Sequence, residues 1–213
     1  MLREWLHSDR SASAGFSSVE RRAIAVVWEY RAAFSRPLIK VNVNLRHYIK
    51  KAGCEVVVAQ RLKRLPRIAV KLIKQPRMRL SQMQDVGGCR AVLPNQEAVY
   101  SVLEGIRRNW DIITVDDYAE HPKPTGYRAI HPIVRRDERA IEVQLRTVGQ
   151  QDWADEVERI DSRASYAAKD GDGPPEVRRY LQLLADAIAQ SEAGTRISVD
   201  DLRELSELRT HVP

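Results

Sequence analysis

The segment from Ile141 to Thr147 alternates apolar and polar side chains, and this alternation restricts the local fold more strongly than any other part of the sequence. Successive side chains of a β-strand point to opposite faces of a sheet. The apolar side consists of Ile141, Val143 and Leu145, and the polar side of Glu142, Gln144 and Arg146. The pattern predicts a half-buried strand with one packing face and one face that is open to a ligand.

Two glycine-containing motifs place further polar residues beside strand-like sequence. The segment DVGGCR begins at Asp85 and leads into an apolar run at 91–93, and its glycines would let a phosphate or a metal ion approach the backbone closely. The segment DYAEHPKPTGYRAIH extends from Asp117 to His131 and contains Lys123 and Tyr127. A lysine, a tyrosine, a histidine, a glutamate and an arginine within such a short stretch of chain indicate a nucleotide site.

The rest of the chain reads as a succession of helices and strands. A capping box of Ser17 and Glu20 predicts an N-terminal helix to about Phe34, which the residues at 35–37 should break. Further helices are predicted at 38–51, 66–74, 95–109, from Thr147 onward, 176–192 and 200–209, and strands at 55–63, 87–93, 112–118, 127–134 and 139–146. We therefore expect an α+β fold with a mixed five-stranded sheet flanked by helices.

The 213 residues suit one domain with a substantial core. Within 1–213 we expect N-terminal helices at 1–54, a catalytic core at 55–165 and C-terminal helices at 174–213. No apolar run is long enough to span a bilayer, and the N-terminal sequence MLREWLHSDRSASAGF lacks the apolar stretch of a secretory signal. These features predict a cytoplasmic protein without a membrane partner.

The positive charge is concentrated between residues 61 and 79, where no acidic residue occurs. This stretch could bind nucleotide phosphates or a nucleic acid, whereas a solvated helix face is an equally good explanation for Lys74, Arg77 and Arg79. The two cysteines, Cys54 and Cys89, are too few for a disulfide framework or a zinc site. Cys89 is expected to be a small buried strand residue rather than a reactive thiol.

The ordered motifs resemble the synthetase domain of the RelA/SpoT alarmone enzymes. They are the D-x-x-G-x-R pattern of Asp85, Gly88 and Arg90, then DYAEHPKPTGYRAIH, then EVQLRT, with agreement upstream at Arg61, Lys63 and Lys71 and downstream at Trp153 and Ala154. The resemblance implies a nucleotidyltransferase-like synthetase fold. Because the chain contains no His-Asp dipeptide, it looks like a small stand-alone synthetase without the hydrolase domain of the longer enzymes.

The resemblance also implies a reaction, namely transfer of pyrophosphate from ATP to the 3′ hydroxyl of GDP or GTP, which makes (p)ppGpp in the stringent response. Asp85 would bind Mg²⁺, and Glu142 would either share that ion or accept the proton of the attacking hydroxyl. The expected ATP-binding residues are Arg61, Lys63, Lys71, Arg90 and Arg146. An alternative for the last two is that either arginine orients a carboxylate.

The expected acceptor-binding residues are Lys123, Tyr127, His131 and Gln144. By resemblance, Tyr127 would stack on the guanine base, and His131 could donate a hydrogen bond to an acceptor phosphate. Two positions depart from the family, which usually has serine where Ala129 and Arg67 stand, and both changes fall in the nucleotide site.

Other functions and partners stay open at this level. A toxin-like relative would pyrophosphorylate the 3′ end of tRNA or make adenosine alarmones, and an antitoxin could then be its partner. A catalytically silent nucleotide or RNA sensor is a further alternative, although a pure binding module has no need of Asp85 and Glu142. The C-terminal helices carry apolar faces that could either form a homo-oligomer or pack on their own chain; these faces comprise Leu181, Leu184, Ala185 and Ile188, and then Leu202, Leu205 and Leu208.

Overall fold

The computed structural model describes residues 17–213. The helices are α1 Ser18–Ala32, α2 Ser35–Lys51, α3 Leu65–Lys74, α4 Gln96–Asn109, α5 Val148–Arg163, α6 Pro175–Glu192 and α7 Val199–Arg209. The strands are β1 Val58–Leu62, β2 Gly87–Leu93, β3 Asp111–Asp117, β4 Ile130–Arg136 and β5 Arg139–Thr147, and two short 3₁₀ turns lie at Leu80–Gln82 and Ala168–Asp170. The prediction about a secretory signal concerns residues 1–16, which lie outside this range.

The strands form one sheet in the order β1-β2-β5-β4-β3, in which β2 and β5 run parallel and every other neighbouring pair is antiparallel. This arrangement confirms the predicted α+β class and the mixed five-stranded sheet. The alternation in β5 also holds on its apolar side, where Ile141, Val143 and Leu145 are fully buried. Because β2 and β5 are adjacent and parallel, Glu142 lies opposite Gly88, and Gln144 lies opposite Arg90.

Local capping signals located several helix starts correctly. Ser17 and Glu20 form the predicted capping box of α1, and Thr147 and Gln150 form the one that starts α5. Asn95 caps α4 by accepting a hydrogen bond from the backbone N–H of Ala98. Each cap uses donors within one turn of the chain, which is why sequence alone could locate these starts.

Three predicted boundaries were wrong. Helix α2 begins at Ser35 rather than after Pro37, because a proline in the first turn of a helix loses no hydrogen bond. Strand β1 begins at Val58, where pairing with β2 begins, rather than at residue 55. Strand β4 begins at Ile130, so Tyr127 precedes it; the carbonyl of Tyr127 instead accepts a hydrogen bond from the backbone N–H of Lys123 across a turn.

The buried apolar side chains of residues 17–213 form two clusters. In the larger one, α2 and α4 cover one face of the sheet. In the smaller one, α5 packs against α6, and the residues buried between them include Trp153, Val157, Ile160, Val177, Tyr180 and Leu181. Leu181 and Ala185 are therefore covered by their own chain, as the second of the two sequence-based alternatives expected. Homo-oligomer formation stays a prediction, and the exposed Leu202 on α7 is the part of the predicted faces that is left uncovered.

Cys89 is buried on β2, as predicted, and burial raises the pKa of its thiol to about 12. Within residues 17–213, no helix has both the length and the apolar character required to cross a membrane.

Candidate active site

A cleft of about 450 Å³ lies over the polar face of β2 and β5. All the residues predicted for the site line it, except Lys71, which reaches it through Asp85. The cleft therefore brings together side chains from β1, β2, β4 and β5, from the loop before β4 and from α5. Its size suits a small-molecule ligand.

Asp85 binds two lysines at one end of the cleft. Its Oδ2 accepts a hydrogen bond from Lys63 Nζ, and its Oδ1 accepts one from Lys71 Nζ, both at 2.8 Å. Burial raises the pKa of the Asp85 carboxyl, but the two ammonium groups lower it by more, so that it stays below its ordinary value. Two positive charges and one negative charge are thereby held where an anionic ligand could join them.

Glu142 lies deeper in the cleft and has a donor on each carboxylate oxygen. The Nδ1 atom of His131 lies 3.2 Å from Oε1, and Gln144 Nε2 donates to Oε2 at 2.8 Å. Burial raises the pKa of Glu142, while the contacts with His131 and Gln144 lower it by more, so the net shift is downward. Glu142 is therefore a carboxylate at neutral pH, able to bind a cation or to accept a proton.

Arg146 belongs to the same face of β5 as Glu142, yet it is only 7% exposed, because α5 starts directly after β5 and covers it. Its Nη2 donates to the hydroxyl of Tyr127 at 2.7 Å, and its Nη1 donates to Gln151 Oε1 at 3.1 Å. The half-buried strand pattern did not predict this burial. Arg146 thus lies at the Tyr127 end of the cleft, whereas the two lysines lie at the Asp85 end.

Aromatic rings surround Tyr127. Its ring meets those of His131, Tyr118 and Trp153 edge-on, with centroids 5.7, 5.9 and 6.0 Å apart. Lys123 Nζ lies 4.4 Å from the centroid of Tyr118 and 5.3 Å from that of Tyr127, within the range of cation–π attraction. Sequence reasoning did not single out Tyr118, although its position directly after the carboxyl end of β3 was a usable signal.

The turn that carries Lys123 and Tyr127 rests on α6. Gly126 adopts a φ of +89°, and a Cβ at this position would lie 2.9 Å from the Cβ of Ala185. Only glycine satisfies both the left-handed backbone and the close approach. Helix α6, assigned from sequence to a separate C-terminal segment, therefore supports one wall of the cleft.

Two predicted ATP-binding arginines face the cleft without a fixed partner. Arg61 on β1 and Arg90 on β2 both line it, and neither makes a hydrogen bond or an ion pair with the residues in 17–213. The guanidinium groups of both arginines are therefore available to bind an incoming phosphate.

The loop after α5 completes the rim of the cleft, which the sequence did not indicate. Lys169 and Asp170 line it, and Asp170 forms an ion pair of 3.8 Å with Lys74 of α3. This ion pair connects the loop after α5 to the basic segment at residues 61–79. For Lys74, the alternative of a solvated helix face is supported, since its side chain is 70% exposed.

Comparison with known proteins identifies the family. A family model described as a region found in RelA and SpoT proteins matches residues 60–170, which is more than half of the chain. The chain belongs to the RelA/SpoT family. The match extends from within β1 to the loop after α5, and so it includes every predicted site residue.

Individual relatives agree with this assignment. This chain is 32% identical over 108 residues to the probable chloroplastic GTP diphosphokinase RSH3 of Arabidopsis thaliana. It is 27% identical over 114 residues to the GTP pyrophosphokinase YwaC of Bacillus subtilis. Each alignment covers 49% of this chain, which spans 15% of the length of the first relative and 52% of the second.

A solved structure confirms the fold. The small alarmone synthetase 1 of Bacillus subtilis, bound to its product pppGpp, superposes with a TM-score of 0.67 at 20% identity, covering 87% of this chain and 97% of that one. The α+β synthetase fold that the resemblance implied, with a mixed five-stranded sheet flanked by helices, is therefore confirmed for this RelA/SpoT chain.

Proposed function

We propose that the chain is a GTP/GDP pyrophosphokinase, which transfers the β,γ-pyrophosphate of ATP to the 3′ hydroxyl of GDP or GTP and releases AMP. The observation that carries this proposal is the arrangement of side chains along one cleft. Asp85 and its two lysines lie at one end, Tyr127 lies at the other, and Glu142 lies on the strand between them. The names of the Arabidopsis and Bacillus relatives support it.

The Asp85 end is suited to the triphosphate of ATP. As the bond between the α-phosphate and the β-phosphorus breaks, negative charge grows on the departing AMP. Lys63 and Lys71 are held in place by Asp85, and Arg61 and Arg90 are free to turn toward the phosphates. The fixed positive charge of the two lysines stabilises the transition state because it needs no rearrangement during the reaction.

Mg²⁺ fits this site in the chemistry of its donors. Asp85 and Glu142 supply carboxylate oxygens, and the usual Mg²⁺ site in phosphoryl transfer combines one or two carboxylates with substrate phosphates and waters. Gly88 keeps the space beside Glu142 open because it has no side chain; a Cβ at this position would lie 3.8 Å from Oε2, in contact with the carboxylate. Among residues 17–213 no group of three or more His, Cys, Asp or Glu side chains is arranged to hold a metal ion. When bound, Mg²⁺ would neutralise charge on the ATP phosphates.

The Tyr127 end is suited to the acceptor nucleotide. Tyr127 offers an aromatic surface, and Lys123 lies above the rings of Tyr118 and Tyr127 as a cation for the acceptor phosphates. The 3′ oxygen of the acceptor forms the new bond to the β-phosphorus of ATP. Its proton passes to the Glu142 carboxylate, which is ionised at neutral pH and faces the cleft.

The test is a product assay with purified protein, Mg²⁺, ATP labelled at the β-phosphate, and GDP or GTP. Anion-exchange chromatography should show AMP together with a labelled guanosine tetra- or pentaphosphate. Label transferred only to added tRNA, or only to an adenosine alarmone distinct from ATP, contradicts the proposed acceptor. Absence of AMP with every acceptor contradicts the enzyme and favours a nucleotide sensor.

A further inference from the structure

A continuous row of short polar contacts connects Arg146 to the proposed base Glu142. Arg146 Nη2 lies 2.7 Å from the Tyr127 hydroxyl, which lies 2.7 Å from His131 Nε2, and His131 Nδ1 lies 3.2 Å from Glu142 Oε1. Stacking on a base would use the ring of Tyr127 and needs none of these contacts. The row therefore assigns the hydroxyl of Tyr127 a separate purpose.

The donors in this row have a direction. A guanidinium can only donate, so the oxygen of Tyr127 accepts from Arg146. A carboxylate oxygen can only accept, so the Nδ1 that faces Glu142 Oε1 carries a proton, and Nε2 of the neutral imidazole is then the acceptor of the single hydroxyl proton. An imidazole that accepts at Nε2 carries its proton on Nδ1, and Nδ1 faces Oε1 of Glu142.

Burial holds the first member of the row in place. Arg146 is 7% exposed, its two terminal nitrogens bind Gln151 and Tyr127, and its Nε is buried without a hydrogen-bond partner among the described residues. Its Cζ also lies 5.2 Å from the centroid of the Tyr127 ring. A charged group desolvated in this way, with neutral partners only, is costly for stability. Such a cost at the wall of the cleft indicates a functional requirement.

We propose that Arg146 and the hydroxyl of Tyr127 are positioning residues, which keep the proton of His131 on Nδ1 so that His131 donates to Glu142. Glu142 then has one donor on each oxygen, His131 on Oε1 and Gln144 on Oε2, and its carboxylate plane is held toward the cleft. The other tautomer would place a lone pair of Nδ1 against Oε1 and would release the carboxylate. This inference rests on the proposed function, in which Glu142 accepts the proton of the 3′ hydroxyl.

The kinetic test is Tyr127→Phe, which keeps the ring and removes only the hydroxyl. The expected result is a kcat lower by roughly tenfold or more, as for other residues that orient a reacting group, with the KM for GDP within about twofold. The matched control is Tyr180→Phe, which removes a hydroxyl bonded to Glu156 outside the cleft and should retain the wild-type kcat. An unchanged kcat for Tyr127→Phe overturns the inference, as does a higher KM at unchanged kcat, since the hydroxyl would then serve acceptor binding.

The structural test is independent of activity. Protein labelled with ¹⁵N in the histidine rings should show His131 as the Nδ1–H tautomer, assigned through its contacts with the Tyr127 ring, and Tyr127→Phe should shift it toward Nε2–H. An Nε2–H tautomer in the wild type overturns the inference even if a variant fails to fold. If the wild type makes no product with any acceptor, the proposed function fails, while the spectrum still decides the arrangement of the four residues.

Discussion

Gly88 lies directly opposite Glu142 in the parallel pair of β2 and β5, and a Cβ at residue 88 would lie 3.6 Å from the Glu142 carbonyl oxygen and 3.8 Å from its Oε2. These are ordinary van der Waals distances, so the glycine is not required for packing. Its absent side chain instead leaves the space beside the carboxylate open. The neighbouring glycine differs, because a Cβ at Gly87 would lie 3.0 Å from Ile141 Cδ1 and 3.4 Å from Phe34 Cδ1.

The two glycines therefore predict a contrast between activity and stability. Gly88→Ala should fold normally and lose about an order of magnitude or more in turnover, since a methyl group would displace a ligand beside Glu142. Gly87→Ala should lower the free energy of unfolding by about 1–3 kcal/mol, since Phe34 and Ile141 are fully buried and cannot easily move. Urea denaturation and the product assay check both variants. Equal activity in Gly88→Ala and wild type would remove the open space from the explanation.

Glu142→Gln should lower turnover by about 100-fold or more, because the amide keeps the shape of the side chain but cannot accept the proton or bind a cation well. Nucleotide binding, measured by calorimetry, and the melting temperature should change little. The control is Glu104→Gln on α4, where Glu104 forms an exposed ion pair with Arg107 and neither residue lines the cleft. Wild-type turnover in Glu142→Gln would exclude this residue from the mechanism.

Asp85→Asn should behave differently, because Asp85 is a proposed ligand of Mg²⁺ and the partner of Lys63 and Lys71 but, unlike Glu142, is not the proposed base. Turnover should be low at limiting Mg²⁺ and should recover partly as Mg²⁺ is raised, since a lost carboxylate weakens binding of the ion. A titration of rate against Mg²⁺ measures this, with Glu142→Gln as the comparison. A rate that does not respond to Mg²⁺ in Asp85→Asn would contradict the assignment of Asp85 as a metal ligand.

The two cysteines should differ in reactivity. Burial raises the pKa of the Cys89 thiol to about 12, and the residue is 2% exposed, so the reactive thiolate is scarce near neutral pH and shielded from reagents. Cys54 is only half-buried. Iodoacetamide at neutral pH, followed by peptide mass spectrometry, should modify Cys54 in the native protein and should modify Cys89 only after denaturation. Rapid labelling of native Cys89 would show that β2 opens readily.

Two truncations should distinguish the contributions of α6 and α7 to stability. A chain ending before Pro174 loses α6, exposes Trp153 and removes the support of Gly126, so it should be insoluble or melt without cooperativity. A chain ending before Ser198 loses only α7, which has no fully buried residue, and should still melt cooperatively at a lower temperature. Light scattering on the second chain and on the full chain also tests the predicted homo-oligomer. A soluble, active monomer from the shorter chain would contradict the role of α6 in the core.

Local structure and most of the residues that line the cleft could be predicted from the sequence. The alternation in β5 and the capping boxes at Ser17 and Thr147 depend on neighbours within one turn or one strand. The structure confirms both capping boxes, and it confirms the alternation from Ile141 to Leu145. The ordered motifs identified the family for the same reason, since the types and spacing of the residues are written in the chain itself. Asp85 and Glu142 could be named as a pair before any fold was known.

The tertiary structure decided which of these residues touch. Lys63 and Lys71 both bind Asp85, although Lys63 directly follows β1 and Lys71 lies on α3. Arg146 belongs to the polar side of β5 by period, yet α5 folds over it and directs it to Tyr127, which is nineteen positions away and outside the strand where it was predicted. Such contacts depend on strand order and on how helices cover a sheet, and these are set by packing of the whole chain rather than by any local pattern.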